Sequence, residues 1–251
     1  MSIITKALNW CGYEIAKKLP FEESIAGVSN DDREILKLCK DITMLSPERL
    51  LANIQAVRYI VDNSIPGSLV ECGVWKGGSI LSMLLTLIEK GDTKRDVYLI
   101  DTFQGMAGLT ESDFKEKMEF TRVRDKFFSE QDGAINRWCY ASLSEVKKNV
   151  SISGYPTDKI HYISGDVRET LKSNWLEDLA IVRLDTDWYT STKIEIESLY
   201  PALVERGVLI IDDYGSWSGC RKAIDEYFST TKHKCFLHRI DRTGVIGVKQ
   251  I

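Results

Sequence analysis

From Ser68 onward, short apolar runs alternate with stretches whose apolar residues recur every three or four positions. "SLVECG", "DVYLID", "KIHYISG", "LAIVRLD" and "GVLIID" read as strands. Between them lie helical patterns from about Gly78 to Glu89, after Gly165, up to Leu203 and around "CRKAIDEYF". Strands separated by helices predict βαβ units, hence an α/β fold with a mostly parallel sheet and helices on both faces. The end breaks the alternation. "KCFLHRI" and "VIGVKQ", joined by "DRTG", predict a C-terminal antiparallel hairpin, with Gly244 expected to supply a positive φ. Upstream, "DDREILKLCKDI" and "SPERLLANIQAVRYIVDN" predict two helices, the second with Ser46 as N-cap and Pro47 at the first helical position.

The opening carries Ile4, Leu8, Cys11, Ile15 and Leu19 at helical spacing, a stripe that stops at Pro20. It is expected to dock on its own domain or on a neighbouring subunit of a homo-oligomer. The resulting division is a helical extension over residues 1–66 and a sheet domain over 67–251, with a charged, aromatic-rich insertion at about 102–150 and no clear strand in it. An insertion after a strand's C-terminal end in an open α/β sheet is expected to be an active-site lid.

Composition narrows the partners. The 251 residues carry a net charge of −4 with scattered Lys and Arg, which argues against nucleic acid and for a small molecule. Six cysteines lie far apart with no Cys-x-x-Cys pair, and there are only three histidines. Neither a zinc site nor a disulfide framework is indicated, and a reducing, cytoplasmic setting is expected. No apolar run approaches the length of a membrane span.

Chemistry gathers where strands end. "LVECGVWKGGS" sets Glu71 at the end of the first strand, Gly73 in the turn, and Gly77, Gly78 and Ser79 at the next helix start. The Gly-x-x-x-Gly-Gly spacing differs from the pyrophosphate-binding Gly-x-Gly-x-x-Gly, and Glu71 would repel phosphate but attract an ammonium. Asp101 ends the second strand, where a carboxylate commonly meets ribose hydroxyls. Asp166, after the third strand, suits an adenine amino group, although a turn or N-cap role is the simpler reading of it alone. Together these residues suit S-adenosylmethionine, a nucleoside without phosphate that carries a free amine.

"LVECGVWKGGS", "LIDTFQGM", "RLDTDWYTST", "LIIDDYGSWSGCRKAIDEYF" and the upstream "TMLSPERL" resemble, in order and spacing, the macrocin O-methyltransferase family. The resemblance runs from about Thr43 to the C-terminus, and the antiparallel strand pair closing a parallel sheet is similar to the class I methyltransferase fold. It implies an S-adenosylmethionine- and Mg²⁺-dependent enzyme that methylates a sugar hydroxyl while that hydroxyl and its neighbour chelate the metal. It further implies that Asp185, Asp212 and Asp213 are metal ligands, that Asp187 is the general base, and that Glu71, Asp101 and Asp166 surround the cofactor.

The chemistry of the residues is consistent with this. Clustered carboxylates repel one another unless a cation intervenes, and an all-oxygen donor set favours a hard ion such as Mg²⁺. Asp187, two residues past Asp185, is free to face the same pocket without being a ligand. Two other readings stay open. Asp185-Thr186-Asp187 also fits the Asp-x-Asp motif of metal-dependent glycosyltransferases, which leaves Glu71, Asp212 and Asp213 unexplained, and a cofactor-binding scaffold without catalysis would need no such quartet.

Overall fold

The computed structural model describes residues 19–114, 117–173, 175–232 and 235–250. The expected helix on the opening stripe lies outside the described residues. Helix α1 (Asn30–Cys39) starts where the Ser29 side chain accepts the Asp32 amide, with Asp31 and Asp32 in the first turn complementing the helix dipole. Helix α2 (Pro47–Asp62) starts at Ser46, which accepts the Arg49 amide, with Pro47 at the first position. Leu36, Leu50 and Ile54 of these helices pack on Leu81, while Ala56, Val57 and Ile60 enter the main core. Helices α1 and α2 thus pack against the elements of the sheet domain.

Strand β1 (Ser68–Cys72) leads to α3 (Gly78–Glu89), and β2 (Val97–Asp101) leads into the insertion. The insertion holds α4 (Lys117–Ser129), a two-residue antiparallel pair β3 (Gln131–Asp132) and β4 (Ile135–Asn136), and α5 (Leu143–Val150). The expectation of no strand thus misses a minimal hairpin, too short to show a periodicity. Helix α5 buries Val146 and Val150 in the main core, so the part that can act as a lid ends before Leu143. Strand β5 (Ile160–Ser164), short helix α6 (Val167–Thr170), β6 (Leu179–Leu184), α7 (Tyr189–Ala202), β7 (Leu203–Ile211) and α8 (Ser218–Thr230) continue the alternation, and β8 (Phe236–Arg239) and β9 (Val245–Val248) end it.

The seven strands run in the order β5-β2-β1-β6-β7-β9-β8, with β9 antiparallel to both its neighbours and the other pairs parallel. Alternate residues face opposite layers: Leu69, Leu99 and Ile181 meet α2 and α3, while Val70, Val182 and Leu184 meet α7 and α8. All six residues of β6 are buried, as a central strand of a covered parallel sheet requires. Truncating Ile181 to Ala would cost about 2–5 kcal/mol. Gly244 does not adopt a positive φ. Its lack of a side chain serves packing instead, because a Cβ there would lie 3.1 Å from the Arg49 Cδ.

Register brings the site together. Cys72 stands opposite both Ile100 and Leu184, and Leu184 opposite Ile211. The ladder continues one step past the strands, with the Gly73, Asp185 and Asp212 amides donating to Ile100, Cys72 and Leu184 carbonyls at 2.9, 2.9 and 3.0 Å. The acidic residues after these strands consequently emerge side by side. Between β1 and β6 the winding reverses, which opens the crevice where such sheets take ligands.

Candidate active site

A cavity of about 320 Å³ occupies that crevice. Its wall includes Glu71, Gly73, Gly78, Ser79, Asp101, Asp166, Asp185, Asp187, Asp212 and Asp213, so every site residue expected from the sequence faces one space. Among the described residues lining it there is no histidine.

Its glycines are there for close approach. Gly73 has φ +79°, and a Cβ there would sit 1.9 Å from the Asp185 carbonyl oxygen, so the turn admits no side chain. Gly78 opens α3 with its amide on the Ile42 carbonyl at 3.1 Å, which clamps the helix start to the segment before α2. Ser79 is buried and accepts from the Asn53 amide at 3.1 Å.

Glu71 is 1% exposed, and neither carboxylate oxygen has a hydrogen-bond partner. The Arg183 Nη1 lies 3.6 Å from Oε1, beyond hydrogen-bonding distance. Burial pushes this carboxyl up to about 7, against the pull of Arg183 and Ser79. A cationic ligand group would supply the missing partner. Asp101 differs: its oxygens accept the Val74, Trp75 and Phe103 amides at 2.6, 3.2 and 2.8 Å. With Thr102 at 3.4 Å, too long for a firm bond, one of roughly four acceptor positions is left for a ligand hydroxyl. Asp166 caps α6 through the Arg168 amide at 2.9 Å and pairs with the same residue's guanidinium, so its oxygens are engaged.

Next to Glu71, across the Arg183 Nη1 that approaches both Glu71 and Asp185, carboxylate oxygens of Asp185, Asp212 and Asp213 all lie within 4.8 Å of one another. Burial, then the neighbouring carboxylates, raises Asp185 and Asp213 well above the usual range. Asp213 Oδ2 is buried without a hydrogen-bond partner. An orphaned buried oxygen in an all-carboxylate set fits a hard divalent cation. Asp187 sits beside the three with φ +66°, and the Trp188 amide reaches back to the Thr186 carbonyl at 2.7 Å, a γ-turn that aims the side chain inward. Burial, followed by the charge of Asp185, raises its carboxyl to about 7. Tyr214, the other proton acceptor within the motif, directs its hydroxyl to Asp225 at 2.7 Å.

Two arginines went unread in the sequence. Arg183, fully buried in β6, donates to Asp185 at 2.8 Å and to Asp212. Arg49 reaches from α2 to Asp212, Asp241 and Thr243. Some of the charge compensation that the four aspartates call for is therefore built in. The readable signal was a cation in the middle of the apolar "LAIVRLD". Trp138, Trp188 and Trp217 were likewise missed, since aromatics scattered over a loop and two helix starts show no period.

The family model described as macrocin-O-methyltransferase (TylF) matches residues 5–249. Among curated relatives, a tetracenomycin-C derivative 4'-O-methyltransferase of Streptomyces olivaceus, whose described substrate bears a 2,3-dimethoxy-α-L-rhamnosyl group, is 33% identical over 204 residues, 81% of this chain and 74% of that protein. A demethyldecarbamoylnovobiocin O-methyltransferase of Streptomyces niveus is 30% identical over 81% of this chain and 74% of its own length. The solved structure of the O-methyltransferase NovP superposes with a TM-score of 0.73 at 29% identity, covering 84% of this chain and 83% of that one.

Proposed function

Since this chain belongs to the macrocin O-methyltransferase family and is thereby an O-methyltransferase, we propose that it moves the methyl group of S-adenosylmethionine to a sugar hydroxyl of a small glycoside or nucleotide-sugar with the aid of Mg²⁺. The observation that carries this reading is a single cavity in which Glu71, whose buried oxygens lack a hydrogen-bond partner, stands beside the Asp185, Asp212 and Asp213 cluster. The relatives' described acceptors supply the sugar.

Glu71 binds the amine of the donor, Gly73, Gly78 and Ser79 let it approach the backbone, and the free position on Asp101 takes a ribose hydroxyl. Asp166 caps the helix beside the adenine. Asp185, Asp212 and Asp213 would hold the cation, which when bound supplies coordination positions for two vicinal hydroxyls and lowers their pKa. Asp187 takes the proton of the reacting hydroxyl as its oxygen bonds to the methyl carbon and the carbon–sulfur bond breaks, giving a methyl ether and S-adenosylhomocysteine. Arg183 keeps Asp185 and Asp212 turned toward the cavity. The glycosyltransferase reading leaves Glu71 and Asp213 without a role. No helix among the described residues is long and apolar enough to cross a membrane.

The test is mass-spectrometric detection of methyl transfer from S-adenosylmethionine to a panel of glycosides and nucleotide-sugars, with Mg²⁺ and after chelation. Transfer that stops on chelation and returns with Mg²⁺ is expected. Full transfer without divalent metal would overturn the metal assignment, and transfer only to phenols would overturn the sugar.

A further inference from the structure

The acceptor end of the cavity has an aromatic corner that the reaction chemistry does not use. Trp138, from the insertion, and Trp217, four residues past Asp213, both line the cavity with half-buried rings. Their centroids lie 6.5 Å apart at an interplanar angle of 58°, so two faces meet as the walls of a corner. Trp188, 1% exposed, buttresses both from behind at 5.9 and 5.3 Å. Its own N–H donates to the Ala107 carbonyl at 3.2 Å.

Each wall is fixed to the site. The Trp138 amide donates to the Asn136 side chain at 3.0 Å, and its carbonyl accepts the Met106 amide at 3.1 Å. Gly105 packs so closely on this strap that a Cβ would lie 1.7 Å from the Asn136 carbonyl oxygen. Lys126 places its ammonium 3.9 Å from the Trp138 ring centroid. The Trp217 amide donates to the Asp213 carbonyl at 3.1 Å.

We propose that Trp138 and Trp217 form the acceptor subsite, stacking the C–H face of a pyranose ring while its hydroxyl edge turns to the aspartates. This rests on the sugar methyltransferase reading and deepens it. A pyranose presents polarised C–H groups on one face and hydroxyls around its rim. An indole face carries the negative end of the ring quadrupole and attracts such hydrogens. The corner gives the C–H face its partner next to the carboxylates that the rim needs. Trp138 and Trp217 therefore act in binding, through their rings.

The experiment uses the full chain loaded with Mg²⁺ and S-adenosylhomocysteine, with methyl α-L-rhamnopyranoside and methyl α-D-glucopyranoside as probes and catechol as a flat aromatic diol. Saturation-transfer NMR gives the contact map and the affinity, calorimetry gives S-adenosylhomocysteine affinity, and a thermal melt confirms folding. At least one glycoside should receive saturation mainly on the protons of one ring face. Its affinity should fall about tenfold in Trp138→Leu, the loss of one aromatic contact, with cofactor affinity within about twofold of wild type. Trp217→Phe, which retains a ring, should bind the glycoside normally, and Trp217→Leu should lose affinity as Trp138→Leu does. No glycoside binding by the wild type, equal binding by Trp138→Leu and Trp217→Leu, or preference for catechol would overturn the corner. Normal turnover in Asp187→Asn would instead remove the base from the proposed mechanism while leaving the stacking result intact, so the two failures are distinguishable.

Discussion

Asp101 ends one strand, Asp213 lies just past another, and both face the same cavity, yet their surroundings are opposite. Three backbone amides converge on Asp101, and most of its acceptor capacity is used in shaping the loop after β1. Asp213 retains a buried oxygen with no partner and stands among three further aspartates. A carboxylate whose hydrogen bonds are complete is architecture. One left incomplete costs roughly 1–3 kcal/mol of desolvation, and a site that tolerates this cost is one in which a ligand completes the set. Glu71 belongs with Asp213 in this respect, and Asp166 with Asp101.

The comparison is broken most severely at Asp187. Asp187→Asn keeps the shape and removes the basicity, so kcat should fall by roughly 10²–10⁴-fold. Mg²⁺ affinity measured by calorimetry should stay within a few fold. A large loss of metal affinity would make Asp187 a ligand and move it out of the base's role.

Glu71→Gln comes next. The amide keeps the volume but not the charge, and the loss of a charge-assisted bond to an amine should weaken S-adenosylmethionine binding by about 10- to 100-fold. Tm should change little, because the substitution ends the 3.6 Å ion pair with Arg183 but also removes the cost of burying a charge. Unchanged affinity would remove Glu71 from the donor site.

Most of the sheet was legible because each strand's apolar run is bounded by a polar turn and followed by a helix-period stretch. The meeting of Glu71, Asp101, Asp185 and Asp212 was legible for the same reason: parallel strands in βαβ order put their C-terminal ends on one edge. What could not be read was which lone pairs are already taken. Asp166 and Asp101 look alike in the sequence, and only the fold shows Arg168 folding back on one and three amides closing on the other. The long-range pairs of Arg49 with Asp212 and Asp241 had no local signature either, since they join α2 to residues more than 160 positions away.

A smaller effect is expected at Glu195 on α7, which is 0% exposed, accepts the Thr186 hydroxyl at 2.8 Å and has one unpartnered oxygen. Burial raises its carboxyl to about 8 from 4.5, and the Thr186 bond only partly opposes this. An acid whose folded pKa lies above its unfolded one favours folding fully below the unfolded value, and loses that contribution as pH rises through the folded value. The Tm of the wild type should thus decline between about pH 5 and pH 8.5, and Glu195→Gln should flatten part of that decline, by on the order of a few kcal/mol at most. An identical slope in the two proteins would show that Glu195 is ionised in the fold.

The smallest effect on ligand binding is expected at Asp166, and it tests the comparison from its architectural side. Asp166→Ala removes the cap of α6 and the guanidinium's partner, so Tm should drop by an amount equivalent to about 1 kcal/mol, the usual cost of a lost N-cap. Because Arg168 already occupies both oxygens, an adenine amino group has to displace an ion pair to reach them, and such an exchange contributes little net affinity. S-adenosylmethionine affinity should therefore change by less than about threefold, within the range set by a slightly loosened wall. Calorimetry and a melt on the same sample read both quantities. A loss of affinity beyond tenfold at unchanged Tm would place Asp166 with Glu71, as a carboxylate kept for the ligand, and would mean that Arg168 turns away when the nucleoside arrives.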